Sequence, residues 1–67
     1  MEIRINQQLT EIPEHFSVEQ LLSSLFADSG KGIAVAINQA IIPKTEWPIH
    51  ILNPKDNIIL IKATQGG

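Results

Sequence analysis

Phe16-Ser17-Val18-Glu19-Gln20-Leu21 is the stretch on which the fold of this chain turns. A serine followed three positions later by glutamine is a capping box. The Ser17 hydroxyl accepts from the Gln20 backbone N–H, and the Gln20 side chain reaches back to the Ser17 N–H. Phe16 before the cap and Leu21 at the fourth helical position make the pair of a hydrophobic staple, which sets the angle of entry. Val18, Leu21, Leu22, Leu25 and Phe26 then recur at helical spacing on one face, while Ser23, Ser24 and Asp28 fall largely on the other. Gly30 and Gly32 supply the exit. One amphipathic helix is expected, with an apolar stripe to bury.

Upstream, Met1, Ile3 and Ile5 alternate with Glu2, Arg4 and Asn6, the pattern of a half-buried strand. Asn6-Gln7-Gln8 can turn, Leu9-Thr10-Glu11-Ile12 returns as a second strand, and Pro13 ends it. Downstream, Gly32-Ile33-Ala34-Val35-Ala36-Ile37 reads as a third strand. Ile33, Val35 and Ile37 form its large face; Ala34 and Ala36 form a small face open to close packing. Asn38-Gln39 is a turn, and Ala40-Ile41-Ile42 is a short return strand stopped by Pro43. Residues 44–52 show no single period. Trp47 precedes Pro48 and is expected to be extended; as one of three aromatic residues it reads as a core or edge anchor. Asn53-Pro54-Lys55-Asp56 is a turn with Pro54 in its second position.

Ile58-Ile59-Leu60-Ile61-Lys62 is the last strand. Its unbroken apolar run implies burial on both faces, or a second face held by a partner. Ile59 and Ile61 share one side; if uncovered, they form an apolar patch of the kind that marks a partner surface. A helix on a mostly antiparallel sheet makes a two-layer α+β domain, in which the first and last strands can pair in parallel at the centre.

Residues 1–62 read as one domain and residues 63–67 as a flexible tail. A chain of 67 residues buries about 60% of its unfolded surface, and its stability should be roughly 3–10 kcal/mol. There is no cysteine, so no disulfide framework and no thiol nucleophile, and a cytoplasmic protein is expected. The opening Met1-Glu2-Ile3-Arg4 is neither a signal nor a transit peptide, and no apolar run has the length to span a membrane. The net charge is −2 with the basic residues dispersed, which lacks the clustered footprint of a nucleic-acid binder. His15 and His50 have no cysteine or carboxylate at metal-ligand spacing. Ser29-Gly30-Lys31-Gly32 lacks the frame of a phosphate loop and follows a helix instead of preceding one. Glu11 and Glu14 have no accompanying base or nucleophile. No set of side chains here makes an enzyme.

The remaining chemistry lies in Ala63-Thr64-Gln65-Gly66-Gly67. Extended, this tail reaches at most roughly 16–18 Å beyond the last strand. Gly66 and Gly67 have no Cβ and can enter a slot too narrow for other residues. Taken as the end of the chain, Gly67 carries a free α-carboxylate, ionised near neutral pH. Such a group can attack the phosphorus of a nucleotide and become an acyl-adenylate.

These features resemble the ThiS family, the small sulfur carriers of thiazole (thiamin) biosynthesis, within the ubiquitin-like β-grasp class. The resemblance runs over nearly the whole chain: the Ile3 and Ile5 strand, the capped helix, Ala34-Val35-Ala36-Ile37-Asn38, Ile42-Pro43, Trp47, Asp56 and Gly66-Gly67. The stretch from Ala36 through Trp47 is its most specific part; the terminal Gly-Gly is common to all such carriers. The resemblance implies a mixed four- to five-stranded sheet with one helix packed on one face. It implies a protein that is a co-substrate, a monomer when free, and binds no cofactor itself. An adenylating enzyme similar to ubiquitin-activating enzymes would use ATP and magnesium to activate Gly67. Sulfur from a cysteine desulfurase or a related persulfide would then give a thiocarboxylate, and thiazole synthase would accept the sulfur. Gly66 and Gly67 would enter the partners' active sites, and Ile59 and Ile61 would contribute to docking. The family usually has glycine where this chain has Lys55, which implies a different turn type there. Two rival readings remain: the small subunit of molybdopterin synthase, which shares the fold and tail, and a plain β-grasp interaction module.

Overall fold

Ser17 caps helix α1 (Val18–Leu25) as its sequence requires. In this computed structural model, which describes residues 1–28 and 31–62, the Gln20 N–H donates to Ser17 Oγ at 3.0 Å. The Ser17 N–H donates to Gln20 Oε1 at 2.9 Å. The other free donors of the first turn are also matched. Val18 N–H reaches the His50 carbonyl at 3.0 Å and Glu19 N–H the Trp47 carbonyl at 3.0 Å; the regular helical bonds then begin with Leu21 N–H to the Ser17 carbonyl at 2.9 Å. Residues 44–52, which lack a clear period in sequence, thus seat the helix N-terminus. Val18, Leu21 and Leu22 are buried, and Phe16 packs half-buried against the same core. The helix ends sooner than its apolar spacing suggests: Phe26 is already extended and Leu25 is largely exposed. Gly32 adopts a positive φ of 77°; Gly30 lies outside the described residues.

Among the described residues, five strands form one mixed sheet in the order β2-β1-β5-β3-β4. They are β1 (Glu2–Ile5), β2 (Gln8–Glu11), β3 (Ile33–Ile37), β4 (Ala40–Ile41) and β5 (Asn57–Lys62). β5 is central. It runs parallel to β1, with Arg4 opposite Asn57 and Ile5 opposite Ile58, and antiparallel to β3, with Ile37 opposite Ile58 and Ile33 opposite Lys62. The helix covers one face of the sheet. Ile3, Ile33, Val35, Ile37 and Ile58 are buried there, joined by Ile12, Ile42, Trp47 and Leu52 from the connections. Leu22 and Ile58 are wholly inaccessible; truncating such a side chain to alanine typically costs about 2–5 kcal/mol.

The two hairpins turn through Asn6-Gln7 (φ 48° and 71°) and Asn38-Gln39 (φ 50° and 73°). Two consecutive left-handed residues make the type I′ turn that suits the twist of paired strands. Two sequence expectations are corrected by the connections. Trp47 is helical (φ −56°, ψ −41°), not extended, although a proline follows. The local preference is overridden because Trp47 closes the 3-10 turn Lys44–Glu46, its N–H reaching the Lys44 carbonyl at 3.1 Å. Its ring is also buried, with Nε1 donating to the Ile42 carbonyl at 3.0 Å. Lys55 holds a φ of 69°, the left-handed conformation that glycine adopts freely. With Pro54 before it and Asp56 N–H bonding the Asn53 carbonyl at 3.2 Å, this is the arrangement of a type II turn. The lysine leaves the turn type in place and bears its strain. Among the described residues, no helix is long and apolar enough to cross a membrane.

Candidate functional site

The face of the sheet away from the helix has no layer packed over it among the described residues. The register defines what it presents. Ile41, Ala36 and Ile59 lie side by side across β4, β3 and β5, and Ala34 lies beside Ile61 in the next row. Ile41 is 72% exposed and Ile61 59% exposed, while Ile59 is half-buried. The apolar run of β5 is therefore not buried on both sides: Ile58 points into the core, and Ile61 out from it. The small Ala34 and Ala36 leave the sheet flat between the isoleucines. On β1 and β2 the same face becomes mixed, with Arg4 opposite the exposed Leu9 and Glu2 opposite Glu11. The open face thus has an apolar half on β4, β3 and β5 beside a charged half on β1 and β2.

Ile59 and Ile61, the residues singled out from sequence, thus sit together on this face. Ile41 and Leu9 join them there and were missed. A two-residue turn at Asn38-Gln39 dictates the pairing of Ile37 with Ala40 and Ala36 with Ile41, so Ile41 was recoverable from the hairpin alone. Gly66 and Gly67 lie outside the described residues.

The strand that leads to them is held from both sides by asparagines. At its start, Asn57 N–H donates to Asn38 Oδ1 at 3.0 Å, and Asn38 N–H returns to the Asn57 carbonyl at 2.8 Å. Asn38 Nδ2 also donates to Asp56 Oδ1 at 3.0 Å. That carboxylate, 6% exposed, receives the Asn53 N–H on its other oxygen at 2.8 Å. Further along, Leu60 N–H donates to Asn6 Oδ1 at 2.9 Å. His15 is exposed and His50 half-buried; among the described residues, no group of three or more His, Cys, Asp or Glu side chains converges as metal ligands.

A five-stranded mixed sheet with one helix on one face is a β-grasp domain. The described fold matches the crystal structure of a thiamine biosynthesis protein (ThiS) from Geobacter metallireducens with a TM-score of 0.85 over the whole of both chains, at 19% identity. The profile of the ThiS family matches residues 2–67. The sulfur carrier protein ThiS of Escherichia coli (strain K12) is 36% identical over 67 residues, the full length of both chains. The chain belongs to the ThiS family.

Proposed function

We propose that this protein is the sulfur carrier of thiazole formation in thiamin biosynthesis, with the Gly67 carboxylate as the atom-bearing group. The observation that supports this best is the family match over residues 2–67, which takes in Gly66 and Gly67 as well as the body. The fold adds a physical reason. Residues 63–67 follow directly from the central strand, the element most firmly tied into the sheet.

The carrier acts as a co-substrate. An oxygen of the Gly67 carboxylate attacks the α-phosphorus of magnesium-bound ATP in the activating enzyme, and pyrophosphate leaves. The acyl-adenylate supplies the leaving group that a carboxylate lacks. The terminal sulfur of a persulfide, generated by a cysteine desulfurase, attacks the acyl carbon and AMP departs with the former carboxylate oxygen. A thiol then reduces the resulting acyl disulfide, leaving the thiocarboxylate, which thiazole synthase takes as its sulfur source. Neither ATP nor metal is assigned a site on this chain. The apolar half of the open face, with Ile59 and Ile61 at its centre, supplies the docking area, and the paired glycines thread the active-site channel.

The test is adenylation. ATP–pyrophosphate exchange by an activating enzyme should depend on this chain and be lost when Gly67 is deleted, with the thermal midpoint unchanged. Exchange that persists without Gly67 refutes the reading. Affinity capture then separates thiazole synthase from the large subunit of molybdopterin synthase as acceptor; the family match favours the former.

A further inference from the structure

The two hairpin asparagines do more than turn the chain, and one of them stands at the base of the tail. In the parallel ladder, Asn6 N–H donates to the Ile58 carbonyl at 2.8 Å. The next rungs of such a ladder take the N–H of Leu60 to the carbonyl of residue 6, and the N–H of residue 8 to the carbonyl of Leu60. The chain cannot supply them, because at Asn6-Gln7 it swings into the type I′ turn. The Asn6 side-chain amide fills both places. Its Oδ1 accepts from Leu60 N–H at 2.9 Å, and its Nδ2 donates, more weakly, to the Leu60 carbonyl at 3.4 Å.

We propose that Asn6 is a positioning residue for the C-terminal tail, fixing Leu60 on the β1 side and so the point from which the tail is delivered to a partner enzyme. This rests on the carrier reading. Past Leu60, β5 is paired on the β3 side alone, where Ala34 faces Ile61 and Ile33 faces Lys62. Releasing Leu60 leaves the last three residues of the strand held from the β3 side alone, so the direction in which the chain leaves the sheet is less closely fixed. Asn38 serves as an internal control. Its Oδ1 likewise accepts a β5 amide, that of Asn57, at the end remote from the tail, while its Nδ2 bonds Asp56 and not the strand.

The variants are Asn6→Gly, Asn6→Asp and Asn38→Gly. Glycine keeps the left-handed turn and removes only the side chain; aspartate also tolerates that conformation and keeps the acceptor for Leu60 N–H. In Asn6→Gly, hydrogen exchange at the Leu60 amide should accelerate about threefold to tenfold, the worth of one hydrogen bond, with the Ile58 amide unaffected. The KM for the chain in adenylation should rise by a similar factor at unchanged kcat. Asn6→Asp should restore most of both, and Asn38→Gly should loosen Asn57 without raising KM. Unchanged Leu60 exchange, or faster exchange with unchanged KM, overturns the positioning role. So does an equal rise of KM in Asn38→Gly, which marks a general loss of stability. If the wild-type chain is no substrate for activating enzymes that act on other carriers, the carrier reading fails and the positioning role with it.

Discussion

Replacing Lys55 by glycine should stabilise this protein, and the structure says by how much. Lys55 sits at the third position of its turn with φ 69°. A left-handed residue bearing a Cβ is penalised by about 1–2 kcal/mol. Glycine removes that strain but adds freedom to the unfolded chain, at a cost of about 0.5–1 kcal/mol. The balance favours Lys55→Gly by about 0.5–1 kcal/mol, which for a domain of this size raises Tm by roughly 2–8 °C. Nothing else of consequence changes. The Lys55 N–H still donates to the Glu2 carbonyl, at 2.8 Å, and the side chain is exposed with no ion pair among the described residues. Lys55→Ala separates conformation from charge: it keeps the Cβ and should leave Tm nearly unchanged. Thermal unfolding followed by circular dichroism measures both. A Tm for Lys55→Gly at or below that of Lys55→Ala would refute the strain argument.

Ser17→Ala removes the acceptor for the Gln20 N–H and should lower stability by about 0.5–2 kcal/mol in urea titration, with no new folded form. Asp56→Ala strips the acceptor from both the Asn53 N–H and Asn38 Nδ2, two charge-assisted bonds at a buried site, and should cost about 2–4 kcal/mol in the same assay. Ile61→Glu, on a side chain already 59% exposed, should leave Tm within a few degrees; under the docking proposed for the open face it should raise the KM for adenylation about tenfold.

Much of the architecture was legible because the local signals agree with one another. The Ser17/Gln20 box, the alternation of Ile3 and Ile5, and the alternation of large and small residues from Ile33 to Ile37 each name one element, and each lies where the structure has it. Trp47 was misread because the proline rule is a local preference. A buried ring bonded to the Ile42 carbonyl, and a Trp47 carbonyl that accepts from the Glu19 N–H, outweigh it. Lys55 was misread for the opposite reason: the turn is imposed by Pro54 and by the Asp56 carboxylate beneath it, so the residue conforms. Ile59 and Ile61 could be placed on one face by strand parity. What covers that face is a question of three-dimensional layers, and parity cannot answer it. The roles of Asn6 and Asn38 were hidden because asparagine is already favoured in a type I′ turn, so its presence raised no further question.

The central claim is that sulfur travels on Gly67, and intact mass spectrometry tests it most directly. The purified chain is incubated with an activating enzyme, ATP, magnesium and a persulfide donor, with a thiol present. The account predicts a mass gain equal to the exchange of one oxygen for one sulfur, mapped to Gly67 and absent when Gly67 is deleted. No gain with several activating enzymes that thiocarboxylate other carriers, or a gain that survives deletion of Gly67, would contradict it.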